Sequence, residues 1–199
     1  MILFRIGKMR FYNYLSRKVE EFKPISGNQV GMYTCGPTVY DYVHIGNWRT
    51  FIFEDVLKRV LDFNGLNVYH VMNITDIEDK IIKKANEQKV DFKNITQEYE
   101  EAFFEDLERL NFIRDLDEPI ELGEKAIRTF PRATEYIDKM ISIIENLLAK
   151  GVAYKADDGV YFSVDKFPKY GKLSGLAKRQ LKKGARVNDD QYDKENWSD

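Results

Sequence analysis

An α/β fold built on a parallel sheet is predicted, and three observations predict it. Residues 29–34 are an apolar, aromatic and β-branched run of strand length. Beyond them Ile45, Trp48, Ile52, Val56 and Val60 recur at spacings of three and four, with Phe53, Leu57 and Leu61 widening the stripe, which predicts a helix with one buried face. Residues 66–72 then read as a second strand. Strand, helix and strand within residues 29–72 make a βαβ unit, whose strands run parallel through a right-handed crossover.

The elements follow in order. Residues 10–15 suit an edge strand and residues 18–24 a solvated connector. Asn64-Gly65 is the stop signal of the first helix. Thr75-Asp76-Ile77-Glu78 has the pattern of a capping box opening a second helix, with Ile77, Ile81 and Ala85 on its inner face. Tyr99, Phe103, Leu107 and Leu110 mark a third helix over residues 96–111. Residues 114–128 are charged and without a clean period, and read as a connector. The chain therefore divides into residues 1–112 and 113–199. Pro131 suits the first turn of a further helix, with Tyr136, Met140, Ile144 and Leu147 on its face and Lys150-Gly151 at its end. Residues 152–156 and 160–164, joined by Asp157-Asp158-Gly159, read as a hairpin.

Composition narrows the class. A hydrophobic fraction of 43% with 14% aromatics is that of a globular chain. The net charge of −2 gives no global basic field, so contact with nucleic acid must be local. A single cysteine closes no internal disulfide, which suits a reducing cytoplasm. The apolar run at residues 1–4 is cut short by Arg5 and Lys8, too early for a signal peptide or membrane span. A soluble, cytoplasmic protein with no membrane partner is expected.

Chemistry collects where a βαβ unit places its ligands, outside the carboxyl ends of the strands. Cys35 ends the first strand, and Asn73-Ile74-Thr75-Asp76 ends the second. His44, Gly46 and Asn47 stand at a helix N-terminus, where unpaired N–H groups and the dipole favour polyphosphate. Gly36 and Gly46 lack a β-carbon and allow close approach to the backbone. Each of these residues also has a plainer reading. A lone cysteine is commonly an inert small hydrophobe. A histidine before a helix is often its cap, and Asn47 can satisfy a turn. Thr75 fits the capping box, and His70 reads as core. The basic residues Lys166, Lys169, Lys172, Lys178, Arg179, Lys182, Lys183 and Arg186, with no acid among residues 166–186, can be a solvated loop.

Taken together, Thr-Cys-Gly-Pro-Thr-Val-Tyr-Asp (34–41), His-Ile-Gly-Asn (44–47) and Asn-Ile-Thr-Asp-Ile-Glu-Asp-Lys-Ile-Ile (73–82) closely resemble the cysteinyl-tRNA synthetases, a class I family. The histidine motif alone is weak evidence. A cysteine nine residues before it, joined to the Asn-Ile-Thr-Asp block, makes the match specific. Similarity continues through Pro131-Arg132-Ala133-Thr134 and Tyr170-Gly171-Lys172-Leu173-Ser174-Gly175 to Gly184-Ala185-Arg186-Val187, covering the chain from about Met9.

The resemblance implies a Rossmann-like, HUP-type sheet carrying the first half of a nucleotide-binding domain, with an inserted connective α+β subdomain. It implies ATP-dependent activation of L-cysteine and transfer to the 3′ end of tRNA-Cys, with Mg²⁺ accompanying the ATP. Cys35 is then one ligand of a zinc ion, one per intact chain, whose other ligands lie beyond residue 199. His44 and Asn47 become the catalytic pair, with Thr38 and Gly46 completing the ATP site. Gly36 and Thr75 face the substrate cysteine. The signature motif runs through Pro37, Thr38, Val39, Tyr40, Asp41, Tyr42, Val43, His44, Ile45, Gly46 and Asn47. Lys178, Arg179, Lys182 and Lys183 become tRNA contacts. Trp48 stands where the family usually has a small residue, and is expected to pack. A monomer is expected, as is a fragment inactive by itself, because the family's second catalytic half does not occur in these residues. Two other readings remain open: a mycothiol-type ligase passing cysteine to an amino sugar, and a non-catalytic nucleotide-binding paralogue.

Overall fold

The structure is a computed structural model that describes residues 8–112, 119–122 and 125–175. The order of elements is β1 (Arg10–Asn13), β2 (Lys18–Glu21), β3 (Gln29–Thr34), α1 (Ile45–Phe63), β4 (Asn67–Met72), α2 (Asp79–Gln88), α3 (Phe92–Arg109), β5 (Pro119–Leu122), β6 (Lys125–Arg128), α4 (Ile137–Ala149), β7 (Ala153–Lys155) and β8 (Val160–Phe162). As far as they are described, these residues form two compact units, 23–136 on one hand and 8–22 with 137–175 on the other.

In the first unit β3 and β4 pair in parallel, Gln29 opposite Asn67 through Thr34 opposite Met72, with α1 as the crossover. The α/β expectation is therefore met at its centre. Gly65, at φ +76°, takes the left-handed turn out of α1 that asparagine and glycine predicted. A further stretch extends the ladder beyond β4. Met72 and Ile74 N–H groups donate to the Thr129 and Pro131 carbonyls (2.8 and 2.9 Å), and Ala133 N–H donates back to Ile74 O (3.0 Å). The chain at 129–133 thus runs parallel beside residues 72–74.

The core is aromatic. Val39, Trp48, Phe51, Met72, Ile74, Phe103, Leu107 and Phe130 form one buried cluster. Trp48 stacks on Phe103 with 5.6 Å between centroids, and meets Phe51 and Phe112 edge-on.

Several sequence expectations need correction. The helix α1 exists, but its expected stripe faces inward only in part: Trp48 and Leu61 are buried, whereas Ile45, Ile52, Phe53, Val56 and Val60 are exposed. Phe51, Glu54 and Asp55, off that stripe, are buried with them. Helical period identifies apolar faces, and α1 has more than one; the Trp48–Phe51 pair fits the aromatic cluster and decides which packs. Thr75 caps no helix, since α2 begins at Asp79 after Glu78; residue 75 is drawn into a parallel bridge with Thr38 instead. Pro131 lies in the extended stretch beside β4, and the chain turns helical only at Ala133–Tyr136, a short 3₁₀ turn before α4. The connector expected at 114–128 includes an antiparallel pair, β5 with β6. Residues 18–24 are not all connector either, because β2 pairs with β1. That hairpin turns through Arg17 in the left-handed region, with Leu15 N–H donating to Asn13 Oδ1, and so carries no glycine signal.

The third helix starts earlier than expected, at Phe92, because Asp91 caps it by accepting from Lys93 N–H (2.8 Å). Phe103 and Leu107 are buried on it, whereas Leu110 is exposed. On α2, Ile81 and Ala85 are buried as expected, whereas Ile77 lies before the helix and is half-buried.

In the second unit α4 ends at Ala149, and Gly151 adopts φ +67°. None of its residues is buried: Met140 and Ile144 are exposed and Leu147 half-buried, so the expected inner face is open within this unit. The β7–β8 hairpin closes through Ala156 N–H to Gly159 O (2.8 Å) as its Asp-Asp-Gly turn predicts. No helix among the described residues is long and apolar enough to cross a membrane.

Candidate active site at the carboxyl ends of the parallel strands

Parallel pairing aligns the ends of β3 and β4, so residues 35–38 and 73–75 leave the sheet side by side. Val39 N–H donates to Thr75 O (3.1 Å) and Thr75 N–H to Pro37 O (2.9 Å), which holds the two segments together past the strands. Tyr33 reaches across, its hydroxyl 2.9 Å from Asn73 Oδ1. Gly36 is required here: a β-carbon would sit 2.0 Å from the Asn73 carbonyl oxygen and 2.8 Å from Met72 Cγ. The room it creates is taken by the chain itself.

Cys35 is exposed, and the contact its thiol makes is a long one, 3.8 Å to the Gly36 carbonyl. Among the described residues it is therefore not the buried cysteine of the plain reading. Beside it the Thr75 hydroxyl accepts from Asn73 Nδ2 (3.2 Å). Because Thr75 caps no helix, its hydroxyl is not committed to backbone N–H groups. Thr38 is half-buried and bridges Thr75 through its backbone.

His44 is the N-cap of α1, with Nδ1 accepting from Gly46 N–H at 3.1 Å. The plain reading of a capping histidine is correct, and it has a chemical consequence. An accepting Nδ1 carries no proton, so the neutral ring holds its proton on Nε2, as a donor. A β-carbon on Gly46 would lie 3.3 Å from that same Nδ1, so the glycine makes room for the capping ring.

The expectation of unpaired N–H groups at this helix start needs correction. Asn47 and Trp48 N–H both donate to His44 O (2.8 and 3.2 Å), and Gly46 N–H is taken by the imidazole. Donors for an anion are left mainly to side chains, His44 Nε2 and the exposed Asn47 amide. Trp48 points into the aromatic cluster, away from the exposed helix start, and packs as expected.

Behind β3 and β4 lies a second group of polar side chains. Thr34 Oγ1 and His70 Nε2 are 2.8 Å apart. Burial depresses the His70 pKa below 6.5, helped by the Lys58 charge and opposed by Asp55, so the ring is neutral near pH 7. Burial raises the Glu54 pKa above 4.5, against a lowering contribution from the Thr34 hydroxyl. His70 is thus half-buried and hydrogen-bonded, in keeping with its reading as core.

Several supporting contacts are not legible in the sequence, although Asp76, Arg132 and Thr134 fall in blocks that carry the resemblance. Asp76 is buried and accepts from Thr134, through both its N–H (2.9 Å) and its hydroxyl. Arg132 Nε donates to Glu100 Oε1 at 2.9 Å, joining the stretch beside β4 to α3. Lys84 on α2 donates to the Tyr40 carbonyl (2.7 Å). These contacts span 32–58 positions in sequence, and only the tertiary fold discloses them.

A zinc ion asks for soft or borderline donors, and the exposed thiol of Cys35 is one. Among the described residues no group of three His, Cys, Asp or Glu side chains is placed to hold a metal. The donor fits, but as a single ligand. Lys178, Arg179, Lys182 and Lys183 lie outside the described residues.

The thiol past β3 and the histidine cap of α1 stand at the carboxyl ends of the parallel strands, where open α/β sheets take their ligands. A family model described as the tRNA synthetases class I (C) catalytic domain matches residues 21–199. The chain belongs to that class I synthetase family. Its relatives are more particular still. It is 49% identical over 191 residues to the cysteine–tRNA ligase of Brachyspira hyodysenteriae, covering 95% of this chain and 38% of the relative. With the cysteine–tRNA ligase of Chlamydia pneumoniae it shares 49% over 200 residues, covering 100% and 40%. The cysteine–tRNA ligase of Pyrococcus horikoshii is 46% identical over 179 residues, covering 90% and 35%. The chain thus spans about two-fifths of the length of the curated relatives it matches.

Proposed function

We propose that this chain is the amino-terminal portion of a cytoplasmic cysteine–tRNA ligase that activates L-cysteine with ATP and passes it to the 3′ end of tRNA-Cys. The observation that carries the reading is the exposed Cys35 thiol, one residue past β3 and beside the end of β4. The relatives' names support it. In this reading β3, α1 and β4 begin a Rossmann-like, HUP-type domain over residues 1–112. Residues 113–199 are then a connective insertion, and the second catalytic half belongs to the remainder of a longer monomeric protein. The portion alone is inactive.

Activation is an in-line attack by the amino-acid carboxylate on the α-phosphate of ATP, accompanied by Mg²⁺. The protein's share is to position the groups and to stabilise the charge that develops on the phosphate. His44 donates through Nε2–H and Asn47 through its amide. Thr38 and Gly46 border the nucleotide, while Gly36 and Thr75 border the amino acid. Lys178, Arg179, Lys182 and Lys183 meet the tRNA phosphates, a contact that weakens with salt.

Cys35 would hold a zinc ion together with donors from the rest of the protein. Such an ion supplies a soft centre that prefers a thiolate to a hydroxyl, and so separates cysteine from serine. An apolar pocket reading one small group discriminates only about 10–200-fold.

Zinc content tests the assignment. In the full-length protein Cys35→Ser is expected to lose bound zinc, measured by elemental analysis after dialysis, whereas His44→Ala retains it and loses nucleotide activation. Undiminished zinc in Cys35→Ser would remove Cys35 from the site.

A further inference from the structure

We propose that Lys84, on α2, is a positioning residue for the His44 end of the site, acting through the Tyr40 carbonyl; this deepens the function proposed above and rests on it. The segment from Cys35 to His44 is anchored at both ends. Residues 37–39 are fixed by the bridge to Thr75 and by Val39, which is fully buried. His44 is fixed as the cap of α1. Between them the backbone bonds are local: Tyr40 N–H to Thr38 O (3.0 Å) and Tyr42 N–H to the neighbouring Asp41 carboxylate (2.8 Å).

The hydrogen-bonded long-range hold on this turn comes from Lys84 and Tyr99. Lys84 Nζ donates to Tyr40 O at 2.7 Å and to the Tyr99 hydroxyl at 2.8 Å. The same ammonium lies 4.2 Å from the centroid of the Tyr99 ring, and the Tyr42 ring meets Tyr99 edge-on at 5.1 Å. One lysine and one tyrosine, from α2 and α3, therefore grip both the carbonyl and a ring of the turn that leads into His44. A hydrogen bond from an ammonium is roughly twice as strong as a neutral one. Lys84 is half-buried; burial would lower its pKa, but the Tyr99 hydroxyl and the Asp41 and Glu98 charges outweigh this and keep it protonated. Without this hold, residues 40–43 keep the Lys80 ammonium over the Tyr40 ring, 5.1 Å from its centroid, and the packing of Val43 against the core. A catalytic group displaced by about 1 Å can lose on the order of a hundredfold in rate.

The experiment uses the full-length protein with Lys84→Met, Lys84→Arg and Tyr99→Phe. Two readouts are taken: amide hydrogen exchange over residues 40–44, and the kcat and KM for ATP in cysteine-dependent pyrophosphate exchange. In Lys84→Met these amides exchange faster and kcat/KM for ATP falls roughly ten- to a hundredfold, while the thermal midpoint of the whole protein stays close to the parent's. Lys84→Arg, which restores a cationic donor, recovers most of both. Should Lys84→Met fail to fold, Tyr99→Phe keeps the ring and removes only the hydroxyl, and the same amides still exchange faster. Parental protection of residues 40–44 in the variants that fold, or an arginine variant as impaired as the methionine one, overturns the proposal. Amide exchange needs no turnover. A parent protein without cysteine-dependent activity would contradict the proposed function, and the protection result would still decide the role of Lys84.

Discussion

A Gly36→Ala variant is expected to lose more than about 3 kcal/mol of stability, the upper end of the usual cost of overpacking a core. The reason is geometric. The added β-carbon would stand 2.0 Å from the Asn73 carbonyl oxygen, and that oxygen belongs to backbone, not to a side chain that can swing aside. Relief requires residues 36–38 and 73–75 to part, which breaks the bridge between Thr38 and Thr75. Urea unfolding should show a lower midpoint at unchanged slope. Gly31, within β3, is the control: a β-carbon there meets nothing within 4 Å, so Gly31→Ala should be neutral or slightly stabilising. Equal behaviour of the two variants would contradict the described strand ends.

Trp48→Ala is expected to cost about 3–5 kcal/mol, the range for removing a large buried aromatic side chain. Trp48 is 7% exposed and touches Phe51, Phe103 and Phe112, so its removal opens a cavity bounded by three rings that cannot all close in. Val56→Ala on the same helix should cost less than about 1 kcal/mol, since Val56 is 50% exposed. The contrast also tests which part of the apolar stripe is packed, because the spacing alone assigns both Trp48 and Val56 to the core. Comparable losses in the two variants would restore that earlier assignment.

The parts of the fold that were legible are those whose signal is local. Residues 29–34 and 66–72 have strand composition, Asn64-Gly65 has turn chemistry, and Asp157-Asp158-Gly159 closes a hairpin. What stayed hidden depends on partners far away in the chain. The stretch at 129–133 pairs with residues 72–74, so Pro131 looked like a helix start when its carbonyl belongs to a ladder. Thr75 has the local pattern of a cap, yet its backbone is held by Pro37 and Val39. At the candidate site Cys35, His44 and the Asn73–Asp76 block stood out through resemblance, not period. Lys84 and Glu100 did not, and the contacts of Tyr99 and Arg132 stayed hidden, because nothing in their neighbours' spacing announces a contact made through the tertiary fold.

The central claim is that the rim formed by Cys35, Thr75 and His44 serves the activation of cysteine. Pyrophosphate–ATP exchange by the full-length protein, with cysteine or serine as the amino acid, tests it most directly. Exchange is expected to depend on cysteine, to far exceed that with serine and to be lost in His44→Ala. Exchange that is absent, or indifferent to which amino acid is supplied, would contradict it.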